Sequence, residues 1–290
     1  MKDTQNQLEN KVVVITGSTR GFGYALAQEM LRAGAKVTIS GRSQATMDQA
    51  VNSLKELGRV IGHPCDVSLP EQVYTLARRS AQEFGTIDFW INNAGYTTSA
   101  GRVIDFPPDE AMSTLKTNCL GAYNGTQAAL FYMLPRKQGT LVNIYGRGSN
   151  LKSATPSGLY GATKAWITSF TRTLAAEHKG SGIHIVGYSP GMMLTDMLVV
   201  GEVVGAQVKE MMKNMPMVLK ALANPPEVPA KELVKLLQDN QKEFVEYRLM
   251  RGRRAMSMIS KLIWMQINPK ARPAPVEYPL VEPFRPPIED

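Results

Sequence analysis

Apolar residues recur along the first two-thirds of the chain in short unbroken runs, separated by longer amphipathic stretches. The runs predict strands near 12–16, 36–40, 60–64, 89–92, 140–145 and 183–188. The stretches between them predict helices near 22–33, 47–57, 71–84, 110–134 and 158–179. Strand, helix and strand in steady alternation read as βαβ units on a parallel sheet. The runs are apolar throughout, as strands covered on both faces should be.

After Pro190 the pattern changes. Eleven of the sixteen methionines fall between Met192 and Met265, and the spacing becomes helical with no further clear strand. Two readings fit: packing helices with methionine as flexible filler, or an adaptable apolar lid over a bulky ligand. From Pro269 onward, prolines at 269, 273, 275, 279, 283, 286 and 287 predict a tail that is extended along the surface or disordered. The expected organisation is a polar segment at 1–10, then an α/β domain with a Rossmann-type doubly wound parallel sheet at 11–200. A Met-rich C-terminal helical extension at 201–268 would follow as substrate lid, and a proline-rich tail at 269–290.

With 290 residues, 43% of them hydrophobic, the chain can bury one full-sized core. Cys65 and Cys119 lie far apart with no partner motif, which argues against a disulfide framework and fits a reducing compartment. Three scattered histidines form no metal-ligand cluster, so no metal is expected. The segment 1–10 is polar, and no stretch reaches the ~18 apolar residues of a membrane span. A soluble, cytoplasmic protein is expected, one that assembles as a homo-oligomer.

The net charge of +8 is unevenly placed: residues 248–272 hold seven basic residues and no acidic one. The remainder is close to neutral, which excludes a general nucleic-acid-binding surface and leaves a local basic patch. Within 250–267, Met256, Ile259, Leu262, Ile263 and Trp264 follow a helical repeat after Arg251, Arg253 and Arg254. Such a segment can lie on an anionic membrane surface, or pack on its own domain or a partner subunit.

The first predicted strand runs into Gly17-Ser18-Thr19-Arg20-Gly21-Phe22-Gly23 and then a helix. Gly17 permits a tight exit from the strand, Gly21 lets the backbone approach a diphosphate, and Gly23 lets the helix pack close to the sheet. The helix N-terminus would present N–H groups and partial positive charge to the phosphates. An NAD-selective site wants an acid at the end of the second strand. This chain has Ser40-Gly41-Arg42-Ser43 there, and Arg20 can close on the same ribose phosphate from the glycine turn. Two guanidinium forks predict NADPH as cofactor.

Further motifs follow in order. Asp66-Val67 comes first, then Asn92-Asn93-Ala94-Gly95, Asn118, Tyr160-Gly161-Ala162-Thr163-Lys164, and Ser189-Pro190-Gly191 with Thr195. Together with the glycine turn this set resembles the short-chain dehydrogenase/reductase family over about residues 11 to 200. The resemblance implies that Asp66 and Val67 hold the adenine. Asn93, Ala94 and Gly95 would support the sheet edge under the nucleotide, and Pro190, Gly191 and Thr195 would close on the nicotinamide end. It also implies that Asn118 kinks its helix and holds a water in a proton relay, and that Lys164 binds the nicotinamide ribose.

The chemistry of Tyr160 and Lys164 stands without the family. Residues four apart on a helix share a face. A lysine ammonium beside a phenol favours the phenolate and should lower the tyrosine pKa from ~10. Tyr160 can then pass a proton to or from a carbonyl oxygen as hydride moves. One departure stands out. The family usually carries Asn-Ile-Ser-Ser on the fifth strand, its second serine polarising the substrate carbonyl, whereas this chain reads Asn143-Ile144-Tyr145-Gly146-Arg147-Gly148-Ser149. Ser149, on a glycine-rich loop, is the expected substitute; otherwise Tyr145 or a backbone N–H would stabilise the oxyanion.

That departure, with Thr155-Pro156, the 189–198 stretch and Pro225-Pro226-Glu227-Val228, resembles the chlorophyll b reductases, a branch of the same family. The resemblance implies NADPH-dependent reduction of the 7-formyl group of chlorophyll b. Another bulky, lipophilic carbonyl substrate (a ketone or quinone), or a catalytically idle nucleotide sensor, is the alternative.

Overall fold

The computed structural model describes residues 8–195, 202–250, 252–271, 273–274 and 276–287, with only the backbone at 253–255, 258 and 269. Six parallel strands follow the apolar runs: β1 (Val12–Ile15), β2 (Lys36–Gly41), β3 (Val60–Pro64), β4 (Phe89–Asn92), β5 (Gly139–Ile144) and β6 (Ile183–Ser189). The helices between them are α1 (Gly21–Arg32), α2 (Gln44–Leu54), α3 (Pro70–Phe84), α4 (Pro108–Leu115), α5 (Gly121–Met133) and α6 (Gly158–Glu177). The expected single helix near 110–134 is two, α4 and α5, joined by a π-turn at Lys116–Leu120 that contains Asn118.

Beyond β6 come a two-residue strand β7 (Val203–Val204), then α7 (Ala206–Met212), α8 (Met215–Leu222), α9 (Glu227–Asp239), β8 (Phe244–Arg248), α10 (Gly252–Ile267) and the short β9 (Leu280–Val281). The main sheet runs β3-β2-β1-β4-β5-β6-β8, with every pairing parallel. Strand order reverses between β1 and β4, so the crevice beyond their carboxyl ends is where a nucleotide site belongs.

Side chains alternate across the sheet. Val13, Ile15, Val37 and Ile39 pack with α1, α2 and α9, while Val14, Trp90, Leu141 and Ile185 pack with α3, α5 and α6. Both faces are covered, which is why the strand sequences are uniformly apolar.

Two expectations about the C-terminal part, that no strand follows β6 and that the α/β domain ends at 200, need correction. A seventh strand, β8, extends the sheet at its edge, and α9 packs on α1 through Ala230, Leu233, Val234 and Leu237. The α/β domain therefore does not stop at 200; it resumes at 227–248, and among the described residues α7, α8 and α10 are the helices outside it. The proline-rich tail is extended and paired: β9 lies beside β7, and the Phe284 N–H donates to the Asp105 carbonyl. It thereby straps α7 and the 98–106 loop together around Val203, Val208 and Tyr278. The polar segment up to residue 7, Asp196, Met197, Leu198, the boundary near 200 and the side chains of Arg251, Arg253 and Arg254 lie outside the described residues.

Candidate active site

The glycine turn is built by close approach. Gly17 has φ +61°, and a Cβ there would meet the Ala94 Cα at 2.8 Å. A Cβ on Gly23 would meet the Gly17 carbonyl at 2.6 Å. Asn93 Nδ2 donates to the carbonyls of Thr16 and Gly17, and Thr16 Oγ1 accepts the N–H groups of Asn93 and Ala94. Asn93 and Ala94 thus brace the end of β1, while Gly95 lies beside the Asn118 side chain. The N-terminus of α1 has no side-chain cap, so its first N–H groups suit a phosphate. Thr195 packs over this turn, its Cγ2 at 3.6 Å from a Cβ placed on Gly21, which brings Gly191 and Thr195 to the same crevice.

Two residues of the turn do something other than expected. The buried Ser18 gives its hydroxyl proton to the Ile15 carbonyl, accepts the Ser40 N–H on that oxygen, and donates its own N–H to the Ser40 carbonyl. It joins β1 to β2 and has no donor to offer a phosphate. Phe22 is buried with its ring stacked on Tyr188, so only its backbone belongs to the site.

At the end of β2, a Cβ on Gly41 would lie 2.9 Å from Thr19 Oγ1 and 2.8 Å from its Cγ2. A side chain there would require Thr19 to shift. Arg42 and Arg20 are both exposed at this corner. Asp66 turns one carboxylate oxygen onto the N–H and hydroxyl of Ser68, while Val67 is buried against Gly121 and its carbonyl accepts from Asn124. The two shape the wall beyond β3. Taken together, a turn that excludes side chains, an uncapped helix start and a corner with two guanidinium groups fit a dinucleotide.

Tyr160 and Lys164 sit one turn apart on α6. Lys164 is buried, its Nζ donates to the Ile144 carbonyl at 2.9 Å and lies 5.5 Å from the centre of the Tyr160 ring. A Cβ on Gly146 would overlap the Tyr160 hydroxyl and stand 3.1 Å from its Cζ. Burial pushes the Tyr160 phenol up to about 12 and pulls the Lys164 ammonium down to about 8. The direction expected for the tyrosine is therefore reversed here, because desolvation disfavours the charged forms of both groups.

The expected substitute for the missing serine is also corrected. Ser149 is 1% exposed and its hydroxyl donates to the Gly146 carbonyl at 2.7 Å, closing the loop turn instead of facing a substrate. Its own carbonyl is gripped by Thr168 and Arg248. Tyr145 is no replacement: its buried hydroxyl donates to Glu246, which Arg172 holds in turn.

Asn118 is buried in the π-turn. Both of its amide protons are engaged, on the Tyr96 carbonyl and Thr163 Oγ1, and its oxygen accepts the Tyr96 N–H. Thr163 Oγ1 donates to the Tyr160 carbonyl. The Asn118 side chain is thus a brace from the Tyr96 loop to the tyrosine helix. Thr163 and Thr16 were missed in the sequence; each lies inside or beside a motif already noticed, but as an ordinary hydroxyl carries no distinguishing signal. Among the described residues no cluster of His, Cys, Asp and Glu could hold a metal ion.

A family model described as short chain dehydrogenase matches residues 11–201. A probable chloroplastic chlorophyll(ide) b reductase of Oryza sativa subsp. japonica is 36% identical over 208 residues, covering 65% of this chain and 41% of that protein. A chloroplastic chlorophyll(ide) b reductase of Arabidopsis thaliana is 37% identical over 229 residues, covering 77% of this chain and 64% of that one. The chain thus matches less than two-thirds of the length of either relative. A solved metagenomic short-chain oxidoreductase, in complex with NADP, has a similar fold, with a TM-score of 0.68 and 21% identity over 83% of this chain and 97% of its own.

Proposed function

The chain belongs to the short-chain dehydrogenase family, and from that premise we propose that it is an NADPH-dependent reductase acting on the carbonyl of a bulky, apolar substrate. The 7-formyl group of chlorophyll b is the substrate we favour. The observation that carries the reaction type is the approach of the Tyr160 hydroxyl and the Lys164 side chain to the bare backbone of Gly146, with Lys164 Nζ 5.5 Å from the centre of the Tyr160 ring. Support for the substrate comes from the names of the two plant relatives and from the methionines of α7 and α8.

Support for NADPH comes from the corner at Gly41. The acid that would bind a ribose hydroxyl there would require Thr19 to shift, and Arg42 and Arg20 supply the charge that a 2′-phosphate needs.

A reduced nicotinamide, when bound, supplies the hydride with both of its electrons. The proton is the work of the chain itself. Burial keeps Tyr160 neutral, the right state to donate its O–H proton to a carbonyl oxygen as that oxygen gains negative charge. The Lys164 ammonium then stabilises the phenolate left behind. Its bond to the Ile144 carbonyl fixes the ammonium in place and leaves two further N–H donors, enough for a sugar diol. Asn118 and Thr163 keep the Tyr160 backbone in register with the Tyr96 loop.

The test is to incubate the protein with NADPH and a panel of formyl-bearing pigments and simpler aldehydes and ketones, following absorbance and products. Conversion of a formyl pigment to its hydroxymethyl product supports the reading. Turnover of other ketones alone removes the pigment assignment, and no turnover of any carbonyl leaves a nucleotide-binding protein without catalysis.

A further inference from the structure

Helix α10 packs beside α8 and directs the deeply buried Met265 into the protein. Met256, Ile259, Ile263 and Ile267 recur at helical spacing on the opposite side, with Trp264 beside them. These five side chains are 64%, 53%, 53%, 75% and 54% exposed. The apolar stripe that the sequence predicts for a packing helix therefore points away from its own domain.

Charge decides what should cover it. Residues 251–272 contain six Lys or Arg and no acid, and both Lys261 and Lys270 are exposed. A second copy meeting this ridge symmetrically would bring two such sets of positive charge together, which opposes association. An anionic lipid surface matches both properties at once: the exposed apolar side chains enter the acyl boundary while the basic composition of the segment, with Lys261 and Lys270 exposed, favours anionic headgroups. Tryptophan suits that boundary, with an apolar ring and one N–H donor. The helix has 16 residues, short of the ~20 needed to span a bilayer, and among the described residues no helix is long and apolar enough to cross one.

We propose that α10 is a peripheral docking surface for anionic membranes, lying in the interface with Met256, Ile259, Ile263, Trp264 and Ile267 inserted. Because α10 packs on α8, docking sets the Met-rich helical layer against the lipid. The surface is independent of which substrate the protein reduces.

The full chain is sedimented with vesicles of phosphatidylcholine alone and with about one-third phosphatidylserine added. The expected result is binding to the anionic vesicles only, weakened by high salt. Ile259→Glu combined with Ile263→Glu should weaken that binding at least about tenfold. Ile267→Glu alone should weaken it in the same direction, and both variants should keep the parent's circular dichroism because the positions are exposed. Equal binding to neutral vesicles, no binding to either, or full binding by the double variant would overturn the proposal. So would size-exclusion data in which the parent self-associates and the double variant does not, since the ridge would then be a protein–protein face.

Discussion

The backbone of Gly146 lies so close to Tyr160 that a Cβ at position 146 would overlap the tyrosine hydroxyl. Gly146 occupies the place where the family resemblance puts a polarising serine. Its lack of a side chain is what lets the phenol rise into that space.

Restoring the serine should therefore harm the protein. Gly146→Ser would push the Tyr160 ring aside, and a displacement of about 1 Å costs about 10²-fold in rate. Steady-state kinetics should show that loss in kcat, with a smaller loss of nucleotide affinity, because a Cβ at 146 also presses on Lys164 (3.2 Å from its Cγ). A Gly146→Ser protein as active as the parent would show that the phenol does not need this space.

The pH dependence follows from the same pair. Carbonyl reduction needs Tyr160 protonated and Lys164 cationic. Tyr160, pushed up to about 12, keeps its proton through the working range, so the limiting group is Lys164, pulled down to about 8. The reduction rate should be flat at neutral pH and fall as pH rises through about 8. Lys164→Arg, whose guanidinium stays charged, should remove that limb even if its rate is lower. Tyr160→Phe should abolish turnover at every pH and leave nucleotide binding intact. An alkaline limb that persists unchanged in Lys164→Arg would assign it to another group.

Six of the seven main-sheet strands were legible because a strand buried on both faces is apolar throughout. The seventh, β8, reads Phe-Val-Glu-Tyr-Arg: as an edge strand it carries polar side chains, and Glu246 pairs with Tyr145 and Arg172. That local pattern resembles a charged loop, and only the register with β6 reveals the strand. At the site, the sequence placed Tyr160 and Lys164 on one helix face because helical spacing dictates it. It could not aim Ser149, whose hydroxyl direction depends on a three-residue turn to Gly146, nor weigh the burial of Tyr160 against the nearby ammonium. Asn118 was found by its motif, but its bonds to Tyr96 and Thr163 join segments far apart in the chain.

Cofactor choice can be tested at Gly41 and Arg42. NADPH should bind more tightly than NADH by about 1–3 kcal/mol, the range for charge-assisted phosphate contacts. Arg42→Ala should remove much of that difference. Gly41→Asp should weaken NADPH without creating an NADH site, because its side chain meets Thr19. Adding Thr19→Ala should open the space and raise NADH affinity. Calorimetric titration of the three variants checks each step, and an unchanged preference in Arg42→Ala would remove the arginine from the cofactor site.

Ser149 separates a structural hydroxyl from a catalytic one. Its side chain is 1% exposed and donates to the Gly146 carbonyl, which also accepts the Ser149 N–H at 3.1 Å. In Ser149→Ala that carbonyl keeps the backbone donor, and the loop stays anchored because Thr168 and Arg248 still hold the carbonyl of residue 149. The expected cost is about 1 kcal/mol of stability, the net contribution of one hydrogen bond. Since nothing of the hydroxyl reaches the crevice, kcat should stay within a few-fold of the parent. A thermal melt and a kinetic assay on the same preparation separate the two roles. If kcat instead falls by ~10²–10³ while stability holds, the size of a lost oxyanion donor, then Ser149 turns toward the carbonyl on substrate binding and performs the missing serine's role.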